Sequence, residues 1–439
     1  MSSGVELKRQ LSLGSATALV VGEVIAVGIF LTPAGMAKSL GSPLWLMLVW
    51  LLMGAMALCG ALCYGELASR FPEAGGGYVY LREAYGPQVA FLYGWMSFLV
   101  MDPGITAALA VGLASYAGYI FKLDGASLKF VAVSTIMLLA LANILGLRLG
   151  AWLMRWLAIL KLGLLVLIAL WGLGLRLGDW SNFVPFVVQR LGSEPLLGAL
   201  AGALVAAFFS FGGWWDVSKI AGEVREPSRT LPRALAFGVL SVTCVYLLTS
   251  AIFLYLVPLE RVTSGETFAA QAGEVLFGRA GGQIFSGIVI ISVLGSLAGI
   301  IMAAPRVYYA MARDRLFPAA VARVHERFGT PARAIALQAI MASVLVALGT
   351  FNQIVAYFIF VTVAFIALTV AAIFVLRRGH KKVGPTYQAS GYPLTPLVFL
   401  ALIILLLVLL AGHNPKQAFL GVGVVALGVP VYHLLFRQK

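Results

Sequence analysis

The sequence predicts an all-α polytopic membrane protein with twelve transmembrane helices. Two observations carry that prediction. Apolar runs of about 20 residues recur from end to end, each long enough to cross ~30 Å of hydrocarbon. Of the 439 residues 61% are hydrophobic and 11% charged, where a soluble domain carries about 25% charged residues. No stretch is polar enough for a separate soluble domain, and no cleavable signal peptide is expected before the first span.

Taken in order, spans are expected near 12–38, 43–69, 88–120, 129–147, 152–176, 196–220, 232–257, 281–312, 332–350, 352–377, 394–411 and 417–436. Between the second and third lies a glycine-rich loop, Ala68 to Tyr80. It lacks the Gly-Lys-Ser/Thr ending and a preceding strand, so it is read as a tight cytoplasmic turn or re-entrant segment rather than a phosphate cradle. In the loop Glu223 to Arg233, Pro227 is expected to stop one helix and Pro232 to open the next. The basic stretch Ala310 to Arg333 is expected to hold a short interfacial helix before Pro331.

The net charge of +14 does not point to nucleic acid. With a cytoplasmic N-terminus and twelve spans, most Lys and Arg fall in cytoplasmic loops and ends, as the positive-inside rule requires. Lys161 then stands as the single basic residue inside a span. Of the three cysteines, Cys59 and Cys63 lie four apart on one helical face and Cys244 lies in another span. None falls in an expected outer loop, so no disulfide-linked subunit is expected. His325, His380, His413 and His433 fall in loops or near span ends, and no metal cluster or cofactor is expected from them.

Two spans carry breaks. Phe208-Phe209-Ser210-Phe211-Gly212-Gly213-Trp214 interrupts the sixth, and Val24-Ile25-Ala26-Val27-Gly28-Ile29-Phe30 the first. Each glycine inside a helix costs about 1 kcal/mol relative to alanine. The unpaired backbone groups are tolerable in a bilayer only where the break is buried or lines a cavity. Glycines also serve close helix packing, but paired breaks in corresponding positions of two halves mark a binding site. Half-helix N-termini offer free N–H groups and about +0.5 charge to a carboxylate, while exposed carbonyls suit an ammonium.

Three charged groups inside spans invite functional reading. Lys161 lies well within the fifth span, where a charge costs about 2.5–3.5 kcal/mol, so it is expected to face protein or a cavity. Glu23 precedes the first break, and Asp102 precedes Pro103 in mid-span. Either acid is open to four readings: proton carrier, partner of Lys161, counter-ion for a cationic substrate, or neutral hydrogen-bonded core acid.

Six segments together resemble one family. They are Gly28 to Gly35, Cys63-Tyr64-Gly65-Glu66-Leu67, Gly75 to Gly86, Phe209 to Trp214, Pro227 to Ala234 and Pro305 to Asp314. Spread in order over about three-quarters of the chain, they resemble the amino acid–polyamine–organocation transporters, and within them bacterial members of the L-type amino acid transporter family. The resemblance implies a single transporter domain over 1–439 with a LeuT-like fold. Two inverted five-helix repeats, 12–178 and 195–378, would be followed by helices 11 and 12 over 393–437.

By the same resemblance, substrate would be held by Val24, Ile25, Val27, Gly28, Ile29, Phe209, Ser210, Phe211 and Gly212. The carboxylate would meet the backbone of Val27, Gly28 and Ile29, and the amine the carbonyls near Val24, Phe209 and Gly212. Phe209 matches the aromatic that closes over substrate, and Lys161 the lysine that replaces sodium and braces helix 1. Where relatives have Gly-Ser-Gly or Gly-Thr-Gly, this chain has Ala26-Val27-Gly28, so a hydroxyl is missing.

The expected activity is sodium-independent secondary transport of small or neutral L-amino acids, by exchange or proton coupling. The alternatives are a cationic amino acid or polyamine substrate, and a sensor that binds without cycling. The expected setting is the inner cell membrane, with both termini cytoplasmic, the chain a monomer and the lipid bilayer its solvent. A pump lacks any Walker-type motif, and an intramembrane enzyme lacks paired carboxylates or a Ser/His arrangement at useful spacing.

Overall fold

Proline and glycine punctuation sets many of the helix boundaries. The computed structural model describes residues 7–261, 268–349, 351–378, 387–413 and 415–436. Its helices are α1 (Leu13–Val24), α2 (Gly28–Leu40), α3 (Pro43–Arg70), α4 (Gly77–Tyr85), α5 (Pro87–Met96), α6 (Asp102–Phe121), α7 (Gly125–Leu145) and α8 (Leu147–Gly174). There follow α9 (Leu196–Phe211), α10 (Pro227–Leu256), α11 (Phe268–Phe277), α12 (Gly281–Ala303), α13 (Pro305–Arg313), α14 (Ala332–Leu348), α15 (Phe351–Arg378), α16 (Leu394–His413) and α17 (Pro415–Leu435). Pro43, Pro87, Pro227 and Pro305 each sit in the first turn of a helix, where a missing N–H costs nothing.

Among the described residues there is no strand, only an isolated bridge between Leu11 and Val224. Ten helical stretches are long and apolar enough to cross a membrane, and Leu13–Val24 and Ala332–Leu348 are shorter apolar helices. Large apolar side chains such as Leu138, Trp152, Leu170, Val408 and Phe419 stand exposed on the outside. In water that surface would be a liability, and in lipid it is the expected face. This is a multi-pass membrane protein.

Several expectations are refined. The 88–120 span is interrupted by a π-helical turn, Ser97–Met101, immediately before Asp102 and Pro103. A proline lacks the N–H that a regular turn would use, so the ladder slips by one residue. The helix at the 223–233 loop starts at Pro227 itself, with Pro232 inside it. The stretch before Pro331 forms one 3-10 turn, Ala319–Ala322, rather than an interfacial helix. The ten-residue α11 was not expected. His380 lies outside the described residues.

The packing brings the two breaks together. Helix α3 runs along α10, α12 packs against α6 and α8, α1 lies against α10 and α8, and α2 lies against α9. The glycine-rich loop 72–77 leads into α4, whose Tyr78, Val79, Tyr80 and Leu81 are fully buried. The Gly75 N–H donates to the Lys219 carbonyl at 2.8 Å. The loop thus supports the backbone just beyond the second break.

Near that point the chain buries an ion pair. Arg306 Nε and Nη2 donate to the two Glu223 oxygens at 2.6 and 3.0 Å, with both side chains at most 1% exposed. Arg306, like the buried Lys219, is therefore a further basic group in the interior of a span, against the expectation that Lys161 stands alone. The Glu223 carbonyl also accepts from the N–H groups of Gln10 and Leu11, and Arg225 N–H donates to Leu11. The chain ahead of α1 is stitched to the chain ahead of α10.

Removing one partner of such a pair leaves an unpaired buried charge, at a cost of about 3–5 kcal/mol. Glu223→Gln should lower the thermal unfolding midpoint of the detergent-solubilised protein, and adding Arg306→Met should restore part of it. A double variant no more stable than Glu223→Gln would contradict the pairing.

Candidate substrate site

Helix α1 stops at Val24 because Ile25 leaves helical geometry at φ −75°, ψ 81°, and α2 restarts at Gly28 without a side-chain cap. Helix α9 stops at Phe211, and after Gly212 and Gly213 the chain continues as a 3-10 helix over Trp214–Glu223. Gly213 takes φ +106°, which favours glycine. Gly28 needs its missing side chain for another reason: a Cβ there would lie 2.7 Å from Ser210 Cα. The two breaks touch at that point. Thr32 Oγ1 and Ser210 Oγ are 2.8 Å apart, and the Thr32 hydroxyl lies 3.0 Å from the Gly28 carbonyl.

The carbonyls released by the first break are nearly all taken. Lys161, fully buried, donates from Nζ to Gly22 at 2.7 Å and to Ile25 at 2.5 Å. Ser296 Oγ donates to Gly22 at 2.6 Å and Ser292 Oγ to Ile25 at 3.1 Å. The Tyr246 hydroxyl sits 2.8 Å from the Val24 carbonyl and 2.6 Å from that of Ser210, bridging both breaks with one proton to share. The N–H side is different. Ala26 and Phe30 N–H groups bond locally to Val24 and Val27, while the first N–H groups of α2 lack intrahelical partners, as at any helix start.

Beside the second break is a cavity whose wall includes Asp102, Phe208, Phe209, Gly212, Trp215 and Asp216. Among the residues expected at the site, Phe209, Gly212 and Asp102 lie on that wall. Val24, Ile25, Val27 and Ile29 are buried around the first break. Ser210 links the breaks, and Phe211 packs into the core, 5.0 Å from Tyr246 and 6.1 Å from Trp50 between ring centroids.

Glu23 is buried against Gly213 and Gly299, and neither of its oxygens has a hydrogen-bond partner among the described residues. Lys161 bonds to backbone and serine, with no carboxylate in ion-pair contact among the described residues, so the pairing of Glu23 with Lys161 is not formed. Asp102 has a different partner. Lys219 Nζ donates to Asp102 Oδ1 at 2.7 Å and lies 2.8 Å from Asp216 Oδ1, all three side chains being at most 3% exposed.

Asp216 and Lys219 were missed as intramembrane charges. Their spacing of three, one helical turn in an apolar segment, was the available signal. Ser292 and Ser296, four apart in an apolar segment, were legible in the same way. Tyr246 carried no such signal.

Lys161 supplies hydrogen bonds from a charged donor, each contributing about 1.5–3 kcal/mol. Lys161→Met should speed amide hydrogen exchange across residues 22–28 by at least about tenfold. Exchange at the wild-type rate would show that the serines suffice.

Comparison with known proteins agrees with this architecture. The family model described as amino acid permease matches residues 11–431. A serine/threonine exchanger, SteT of Bacillus subtilis, is 30% identical over 436 residues, covering 99% of this chain and 98% of that protein. The b(0,+)-type amino acid transporter 1 of Oryctolagus cuniculus is 30% identical over 86% of this chain and 77% of its own length. The human large neutral amino acids transporter small subunit 2 is 28% identical, with 98% and 81% covered. The chain belongs to the amino acid permease family and is an amino acid transporter rather than an enzyme.

Proposed function

We propose that the chain carries small or neutral L-amino acids by sodium-independent, alternating-access transport, as an exchanger or a proton-coupled permease. The observation that carries the reading is Lys161, whose ammonium sits among the Gly22 and Ile25 carbonyls of the broken helix. A fixed cation there removes the seat that a sodium ion would need. The relatives named for serine and threonine exchange and for large neutral amino acids support the substrate class.

In this proposal the twelve crossings are the ten long spans plus the chain through α1 and α14. They form inverted repeats over 12–178 and 195–378, with 393–437 added. Two broken helices in corresponding places, meeting at Gly28 and Ser210, support the repeat. The charge bias supports a cytoplasmic N- and C-terminus in the inner cell membrane, with the chain working as a monomer without a disulfide-linked subunit.

The substrate carboxylate is placed at the N–H groups of Val27, Gly28 and Ile29, where dipole and free donors coincide. Phe209, on the cavity wall, closes over the substrate. Glu23, buried without a hydrogen-bond partner, is the proton carrier or a brace beside the break. A cationic amino acid or polyamine is the second reading, favoured by the two carboxylates on the cavity wall.

The test is uptake of labelled L-serine into proteoliposomes. The rate should be unchanged when choline replaces sodium, and Glu23→Gln should lose any acceleration by an inward proton gradient. A several-fold fall without sodium would overturn sodium independence. Binding without uptake would make the protein a sensor, and uptake blocked by putrescine or L-lysine but not by neutral amino acids would favour the second reading.

A further inference from the structure

Three ionisable side chains are buried together where α6 meets the 3-10 segment after the second break. Asp102 and Lys219 are each 1% exposed and Asp216 2%. Their hydrogen-bonding is unequal. Asp102 is the better supplied: Oδ1 accepts from Lys219 and Oδ2 from the Ser97 hydroxyl, while the Tyr308 hydroxyl, 3.3 Å away, lies closer to Gln338 Oε1. Asp216 draws on the same ammonium: Lys219 Nζ lies 2.8 Å from its Oδ1, but poorly aligned for a hydrogen bond. Two carboxylates share one ammonium, so the fully ionised group carries one surplus negative charge. A buried charge without a counter-ion is strongly unfavourable.

Asp216 is also on the wall of the cavity, with Phe209 and Gly212. At the breaks themselves two of the three carbonyls expected to receive a substrate amine are engaged. Val24 carbonyl accepts from Ala26 N–H at 2.8 Å and shares the Tyr246 hydroxyl with Ser210, and Phe209 carbonyl accepts from Gly212 N–H at 3.2 Å. Beside the cavity Gly212 offers a neutral carbonyl, and Asp216 a carboxylate that shares its counter-ion with Asp102.

We propose that Asp216 is the residue that receives the ammonium group of the substrate. A primary ammonium entering the cavity supplies the positive charge that the Asp102–Lys219–Asp216 cluster lacks. Asp102, held by Lys219 and the Ser97 hydroxyl, positions Lys219 and does not touch substrate. The rings of Phe208, Phe209 and Trp215 on the same wall suit a cation, since aromatic faces attract positive charge. The site therefore selects substrates that carry an amine and rejects the corresponding hydroxy acids. This inference rests on the transport reading but is separable from it.

The experiment is equilibrium binding to the purified full-length protein, with L-serine, L-leucine, L-lysine and putrescine as probes and L-lactate as the amine-free control. Asp216→Asn should weaken every amine-bearing probe that the wild type binds by at least tenfold and leave any L-lactate binding unchanged. Asp216→Glu, which keeps the charge but moves it by one methylene, should weaken them by a smaller factor. Wild-type affinity in both variants would overturn the inference, and Asp216→Glu decides alone if Asp216→Asn does not fold. Unchanged affinity with a lost response to a proton gradient would also overturn it, making Asp216 a proton site. A wild type that binds putrescine but no amino acid would overturn the amino acid reading while the Asp216→Asn comparison still tests this one. A wild type that binds none of the amines would overturn both.

Discussion

Hydrocarbon offers no hydrogen bonds, so every backbone group released by breaking a transmembrane helix must find a partner inside the protein. That constraint organises the centre of this molecule. At the first break Lys161, Ser292, Ser296 and Tyr246, drawn from three other helices, converge on the carbonyls of Gly22, Val24 and Ile25. The break is consequently better satisfied on its carbonyl side than on its N–H side. This asymmetry supports the proposed carboxylate seat at Val27 to Ile29.

The second consequence is electrostatic. Glu23, Asp102, Asp216, Lys161 and Lys219 are all buried in the chain's interior. Three acids against two lysines leave the cluster short of one positive charge when all are ionised. A proton or a substrate ammonium would supply it. Farther along the same segment Glu223 is matched by Arg306 and tied to the backbone of Gln10 and Leu11. That neighbourhood is neutral, while the fully ionised cavity wall is not.

Much of this was legible in the sequence. Membrane-length apolar runs, the paired breaks and the intramembrane lysine are one-dimensional signals, and each reappears in three dimensions. The partners were less legible. That Tyr246 bridges two breaks depends on α10 lying against α1, which no local pattern encodes. Asp216 and Lys219 were visible but sit at the edge of an apolar run, where a charge reads as a helix end. Only the fold shows that the backbone there is a buried 3-10 helix supported by Gly75. Pro227 misled in the opposite sense, since a proline that can stop a helix also suits the first turn of the next.

In the proposed site the first break presents N–H groups to the substrate, while the Gly22, Val24 and Ile25 carbonyls bond to the protein. The most direct measurement is a structure determined with L-serine or another transported amino acid bound. The carboxylate should lie within about 3 Å of the N–H groups of Val27, Gly28 or Ile29, with Lys161 still on Gly22 and Ile25. A substrate whose carboxylate lies elsewhere, or a Lys161 that has left those carbonyls to pair with the substrate, would contradict it.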